Sequence, residues 1–369
     1  GWSYGFGLWF VGAFWLYTSI HVYGDTNAFL SVCMIAVMAL VMGLFTAFQT
    51  WIYRRFFPET PLTFAPLWII FEWAKTWVFT GFPWLFVGYA FNERLLDFYA
   101  PLFGIYAISF VVIVLACALV EVLRKRIFWV IPAALLVLGA WGASYIQFVQ
   151  PKAAKPLSVS LIQGNIPQDL KWLTEYQVRT LEIYAGLTQS EWGRDLIVWP
   201  ESSIPLFQTD IEPFLDAMDA QAKKNHTAWV TGIPYWDVAK SHQVGSPLYY
   251  NSIMASGSDS SGLYKKQRLV PFGEYIPLSG LLSWVLPAMQ NDISMSGFTR
   301  GESDQKPLLI KGHALAAAIC YEVAYPNLTR RNAEDSDFLV TVSNDAWFTG
   351  TAGPWQHLQM VQMRAKENG

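Results

Sequence analysis

Leu196-Ile197-Val198-Trp199-Pro200-Glu201-Ser202 is a four-residue apolar run that ends on a proline and a carboxylate. A short apolar run closed by turn residues reads as a buried strand, and proline cannot extend the ladder. Glu201 therefore follows directly on a strand end. The construction recurs downstream: Ala316-Ala317-Ala318-Ile319-Cys320-Tyr321-Glu322 ends an apolar strand on a thiol, and Leu339-Val340-Thr341-Val342-Ser343 runs into Asn344-Asp345-Ala346-Trp347. The full set of candidate strands is Leu157 to Gln163, Asp195 to Trp199, Thr227 to Ile233, Tyr249 to Ala255, Ala314 to Ile319 and Phe338 to Val342. Helical patterns lie around Thr174 to Trp192, Ile211 to Lys224 and Trp355 to Lys366. This alternation predicts an α/β domain from Pro151 onward.

The preceding residues have a different chemistry. Only 13 of the 53 charged residues of the 369-residue chain lie in positions 1 to 150. Five apolar segments there are long enough to span a bilayer, at about 2–20, 28–50, 63–80, 101–123 and 127–148. A spanning segment must satisfy its backbone internally, so each is expected to be helical. Arg54 and Arg55 follow the second segment, and Arg124, Lys125 and Arg126 separate the fourth from the fifth. Basic loops stay cytoplasmic, which puts everything after about 149 on the opposite side, the periplasm of a bacterium. Glu72 and Lys75, three apart in the third segment, share a helix face and can pair, a structural role.

Composition narrows the function. A net charge of −3 with no arginine-rich stripe offers no field for nucleic acid. Eighteen Trp, seventeen Tyr and twenty-five Phe suit long interfacial belts, so a membrane is the better partner. Cys33, Cys117 and Cys320 form no CxxC, and the five histidines form no HExxH, so neither a disulfide framework nor a metal centre is expected. Cys33 and Cys117 sit in apolar runs as small hydrophobes.

A further polar group comes from Tyr264-Lys265-Lys266-Gln267-Arg268-Leu269-Val270-Pro271-Phe272-Gly273-Glu274. Ligand sites in α/β folds gather beyond strand ends, where a thiol, a carboxylate and an ammonium make a coherent device. The carboxylate takes the thiol proton, the thiolate attacks a carbonyl, and the ammonium steadies the developing negative charge. Each group also has a plain alternative: Cys320 as a buried hydrophobe, Glu201 as a turn or capping residue, Lys265 and Lys266 as a solvated pair.

At these residues the chain resembles the nitrilase superfamily, with its Glu, Lys, Cys triad on an α-β-β-α sandwich, and more narrowly it is similar to the bacterial apolipoprotein N-acyltransferases. The strings that carry the resemblance are Gln163-Gly164-Asn165-Ile166-Pro167-Gln168, Trp199-Pro200-Glu201-Ser202, Leu269 to Glu274, Cys320-Tyr321-Glu322, Ser343 to Phe348 and Gly353-Pro354-Trp355-Gln356-His357. They recur in the family's order over about 200 residues, behind a membrane bundle. The resemblance implies Glu201 as general base, Lys266 as the oxyanion-stabilising lysine and Cys320 as nucleophile. It implies Glu274, Tyr321 and Glu322 as auxiliary residues, and Trp172, Asn344 and Trp347 as substrate-binding ones.

The implied fold is a multi-span α-helical membrane bundle (1–150) followed by an α/β nitrilase-like sandwich (151–369). The implied reaction moves an acyl chain from a phospholipid, through a Cys320 thioester, to the α-amine of a diacylglyceryl-cysteine on an apolipoprotein, at the bacterial inner membrane and without cofactor or metal. The outer loop Thr80-Gly81-Phe82-Pro83-Trp84-Leu85 is expected to help line a lipid entrance. The resemblance further implies truncation at both ends, with two helices preceding Gly1 and more of the sandwich and a final helix following Gly369. A tethered amidase for a small soluble amide, and a transporter or receptor with a ligand-binding ectodomain, are the competing readings.

Overall fold

The computed structural model describes residues 1–150, 156–275 and 297–369. The chain divides into two compact units. One is formed by Gly1–Lys152, Ala324–Pro326 and Trp347–Gly369, the other by Ala153–Val323 and Asn327–Ala346.

The first unit is helical. Its elements are α1 (Trp2–Gly12), α2 (Ala28–Phe56), α3 (Pro61–Ala74), α4 (Ala100–Leu123) and α5 (Val130–Ala143). Asn27 caps α2 by accepting the amides of Phe29 and Leu30, which satisfies two of the N–H groups that a helix start leaves open. Helices α1 and α2 approach closely at Gly5 and Gly43, where a side chain at Gly5 would sit 2.8 Å from the Gly43 Cα. Ala28–Phe56 and Leu95–Leu123, 29 residues each, are long and apolar enough to cross a bilayer, whereas the apolar stretch Ile127–Ala143 is shorter. Large apolar side chains stand exposed along them, including Phe29, Val37, Leu44 and Phe48 on α2 and Leu119 and Leu123 on α4. Helix α3 stops at Ala74, and Phe79 and Thr80 beyond it have positive φ.

Two expectations change here. Among the described residues no ion pair joins Glu72 to Lys75. Glu72 instead accepts the Trp68 indole (3.0 Å) and the Val87 amide (2.9 Å), and the Lys75 ammonium lies over the rings of Phe86 and Trp9. Lys75 is the C-cap of α3 and keeps the helical conformation, its amide donating to the Phe71 carbonyl, so the two side chains are parted by their other partners rather than by the backbone. Trp84, expected at a lipid entrance, is buried, and its indole donates to Gln356 (2.7 Å).

The second unit is built on eight strands in sequential order: β1 (Val159–Leu161), β2 (Leu196–Val198), β3 (Ala228–Trp236), β4 (Tyr249–Gly257), β5 (Ser260–Lys265), β6 (Leu308–Ile310), β7 (His313–Ile319) and β8 (Phe338–Val342). The two ends are parallel, β1 to β3 and β7 to β8, and the middle is an antiparallel meander. Side chains alternate across a strand, so one face of β2 and β3 (Leu196, Val198, Ala228, Val230) meets Leu315, Ala317 and Ile319 of β7 and Val342 of β8 in one core. The sheet is thus curled upon itself. The opposite face (Ile197, Trp199, Trp229, Ile233) packs on Leu181 and Tyr184 of helix α7 (Thr174–Thr188) and Met218 and Ala222 of α8 (Glu212–Lys224), with the short α6 (Gln168–Lys171) preceding them.

The expected strands all appear, with β3 and β4 longer than read. Strands β5 and β6 escape sequence reading because β5 is Ser-Ser-Gly-Leu-Tyr-Lys and β6 only three residues, neither with the alternation that marks a strand. Among the described residues the remaining α-helices are α9 (Val238–Val244), α10 (Pro326–Ala333) and α11 (Gly353–Asn368). Helix α11 belongs to the helical unit, where Glu367 accepts the Ile105 amide (2.6 Å) beside Gly104, whose φ of +70° breaks the regular start of α4.

Candidate active site

The turn after β2 carries Glu201. It lies flat on β3 because position 232 is glycine: a Cβ there would come within 2.7 Å of the Glu201 Cα and 2.5 Å of the Pro200 carbonyl oxygen. Glu201, Lys266 and Glu274 are all buried, at 7, 1 and 7 % exposure. The Lys266 ammonium donates to Glu274 Oε1 (2.9 Å) and Glu201 Oε1 (3.3 Å). Asn251 of β4 donates its amide to the same two oxygens, at 2.7 and 2.9 Å. One ammonium and one amide thus hold two carboxylates side by side, and the backbone amide of Asn344 takes the free Glu201 oxygen, Oε2 (2.8 Å). Burial disfavours the Lys266 charge, but Glu274, Glu201 and Cys320 together more than offset it, so its ammonium is held above the usual lysine range.

Successive side chains on a strand face opposite ways, which separates the two lysines. Lys265 turns to Asp237 (2.9 Å) and lies over the Tyr250 ring at 4.3 Å.

Cys320 follows β7 in a left-handed conformation, φ +50°, which costs a non-glycine residue energy and makes a sharp turn. Burial pushes its thiol well above the ordinary value. Glu201 and Asp345 push the same way, while Lys266 and a hydrogen bond with Ser343 pull it down. The thiol is therefore neutral at rest and lies within the fields of Glu201 and Lys266.

Glu322, fully buried, ties the two halves of the site together. Its Oε1 accepts the amides of Gln267 (2.5 Å) and Arg268 (3.1 Å), next to Lys266, and its Oε2 accepts the amide of Ile319 (2.8 Å), next to Cys320. The Tyr264 hydroxyl reaches both oxygens, at 3.0 and 3.1 Å. Burial raises the Glu322 carboxyl to about 7, against these amide bonds and the Lys266 charge.

Tyr321 is buried, and Asn344 also donates its side-chain amide to Gln168 Oε1 (2.9 Å). Trp172 is half-buried, with the Lys171 ammonium 5.8 Å from its ring centre. Trp347 lies in the helical unit, edge-on to Tyr23 at 5.5 Å. Sequence reasoning missed Asn251 and Lys171. For Asn251 the one available signal was an amide inside an otherwise strand-like run, where Asn is depleted. For Lys171 it was adjacency to Trp172.

A mixed sheet curled around its own core, flanked by helices and carrying a carboxylate, an ammonium and a thiol beyond its strand ends, defines an enzyme of the carbon-nitrogen hydrolase class. The Carbon-nitrogen hydrolase family model matches residues 158–369, and the Apolipoprotein N-acyltransferase N-terminal domain matches residues 1–118. The whole chain is 40% identical over 382 residues to the apolipoprotein N-acyltransferase of Azotobacter vinelandii, covering 73% of it. It is 38% identical over 378 residues to that of Coxiella burnetii (76% covered) and 39% over 381 residues to that of Pseudomonas putida (74% covered). The chain belongs to the apolipoprotein N-acyltransferase family and is an acyltransferase.

Proposed function

We propose that this chain acylates the α-amine of a diacylglyceryl-cysteine on an apolipoprotein, taking the acyl chain from a phospholipid through a thioester on Cys320. The observation that carries the reading is the buried cluster in which Lys266 joins Glu201 to Glu274 within the electrostatic reach of the Cys320 thiol.

In the first half, Glu201 takes the thiol proton as Sγ attacks the ester carbonyl carbon, and Lys266 stabilises the charge that develops on the carbonyl oxygen. The C–O bond breaks, the proton passes from Glu201 to the departing alkoxide, and a lysophospholipid leaves. In the second half the acceptor amine attacks the thioester carbon and gives its proton to Glu201. The C–S bond breaks, and the sulfur recovers that proton. Burial of the cluster supports this chemistry, since a thioester open to water would hydrolyse.

The five apolar segments at about 2–20, 28–50, 63–80, 101–123 and 127–148 are the spans in this reading, with the catalytic domain (151–369) on the periplasmic side of the inner membrane. Support comes from the basic residues at the C-terminal ends of α2 (Arg54, Arg55) and α4 (Arg124 to Arg126), which mark one common face. Incubation with phospholipid is expected to add one acyl mass to the protein, released on adding a diacylglyceryl peptide and absent in Cys320→Ala. An adduct that survives that substitution overturns the proposal, and hydrolysis of short amides without lipid would favour a tethered amidase.

A further inference from the structure

Beside the cluster lies a second group of buried polar atoms that the reaction above does not use. Lys171, at the end of α6, is 4 % exposed, and among the described residues its ammonium has one acceptor, the Glu201 backbone oxygen at 3.3 Å. Among the described residues no carboxylate forms an ion pair with it, although a buried ammonium without a counter-charge is costly. Burial lowers its pKa to about 8, with Glu201 opposing, so it remains largely charged at neutral pH.

Gln168 is three residues earlier, on the same face of the one-turn helix. Asn344 donates to its Oε1, which fixes the amide orientation and leaves Nε2 buried with no acceptor. Trp172 follows Lys171, and its indole Nε1 is buried and unpartnered in the same way. Buried donors are almost always paired in folded proteins, so this grouping calls for an acceptor that the described residues do not provide.

We propose that Lys171, with the Gln168 amide and the Trp172 indole, forms a subsite for the phosphodiester of the acyl donor. The chemistry selects that group. An ammonium without a counter-ion calls for one negative charge, and three donors call for several lone pairs, which the two free oxygens of a phosphodiester supply. An ester carbonyl is uncharged and leaves the ammonium uncompensated. Lys171 touches the backbone of Glu201, so a phosphate held there sits next to the group that handles the proton, as a glycerophospholipid requires when its phosphate and its reacting ester are a few bonds apart. Lys171 is then a binding and positioning residue for the donor, and this rests on the acyl-transfer reading.

The test compares two donors in the same full-length protein: dioleoylphosphatidylglycerol, and dioleoylglycerol, which keeps the glycerol ester but lacks the phosphate. Formation of the Cys320 acyl adduct is followed by intact mass, and the ratio of the two rate constants is taken within each variant, so that partial misfolding cancels. Wild type is expected to favour the phosphodiester. In Lys171→Met the ratio falls at least tenfold, and in Lys171→Arg, which keeps the charge, it falls less than in Lys171→Met. An unchanged ratio overturns the subsite, whether both rates fall together or neither falls. If neither donor acylates wild-type Cys320, the acyl-transfer reading fails and the subsite with it, an outcome distinct from an altered or unaltered ratio.

Discussion

Replacing Glu322 by Gln changes one atom at the junction of the two catalytic segments, and its cost depends on pH in a direction the geometry fixes. All the neighbours of the carboxylate donate: three backbone amides and the Tyr264 hydroxyl. The glutamine NH2 must therefore face a donor. The cheaper orientation puts it against the single amide of Ile319, leaving one buried N–H unpaired at about 1–3 kcal/mol. A protonated carboxyl still accepts through both oxygens, so this cost is fully felt at low pH. The wild-type carboxyl is raised from 4.5 to about 7, so the native state keeps a proton that the unfolded chain gives up between those values. Wild-type stability consequently falls as pH rises through that window, by about 3 kcal/mol in total, and levels off above it. Glu322→Gln lacks that loss. Its deficit should be largest near pH 4.5 and by pH 8 should close or reverse, by up to about 2 kcal/mol, read as the difference in unfolding temperature of the detergent-solubilised proteins. Acylation should nevertheless fall by about 100-fold at every pH, because the Ile319 amide that anchors the Cys320 turn is released and small misplacements of a nucleophile are expensive. A deficit that widens with pH, or acylation within threefold of wild type, refutes the argument.

Lys266→Met leaves Glu201 and Glu274 buried together without their cation, which should destabilise the protein by about 3–5 kcal/mol and abolish adduct formation. Both effects are read directly, by thermal unfolding and by the intact mass of the protein after incubation with phospholipid. Asn251→Ala removes the amide that both carboxylates share, and should lower the acylation rate by about 10–100-fold with a far smaller effect on donor KM, since the Asn acts through Glu201 rather than on the lipid.

What could be read from the sequence was set by locality. Strand ends announce themselves through apolar runs that stop on polar residues, so Glu201, Cys320 and Asn344 stood out singly. Their meeting could not be derived from spacing, because it depends on a curled sheet that brings the ends of β2, β7 and β8 together. Strand β5, which delivers Lys266, has no apolar alternation of its own and is held by its neighbours β4 and β6, so it read as loop. Asn251 is reached only through the register that pairs it with Pro234, and Lys171 only through the turn that lays α6 beside Glu201. The Glu72 and Lys75 pairing failed because other partners outcompete the expected one: Glu72 accepts the Trp68 indole and the Val87 amide, and the Lys75 ammonium lies over Phe86 and Trp9.

The charge arrangement constrains how the proposed reaction moves its proton. Two carboxylates against the Lys266 ammonium leave the cluster one negative charge in excess, which the neighbouring Lys171 ammonium offsets only in part, and a thiolate would add another in a buried setting, which is why burial, Glu201 and Asp345 keep the Cys320 thiol protonated. A mechanism that begins from a resident thiolate is thereby disfavoured, and the proton must leave as the sulfur attacks. Lys266 cannot exchange that proton, since two carboxylates hold its ammonium above the ordinary range and it stays cationic through the cycle. Glu274 and Glu201 are held alike, each with Oε1 shared by Lys266 and Asn251 and with Oε2 accepting one backbone amide, that of Val270 (2.8 Å) for Glu274 and that of Asn344 for Glu201. Of the two, Glu201 is the carboxylate whose charge bears most on the Cys320 thiol, which makes it the proton carrier in this reading. Both half-reactions therefore pass their proton through the same carboxylate, whose position is set by Asn251, Lys266, the Asn344 amide and the Lys171 contact to its backbone.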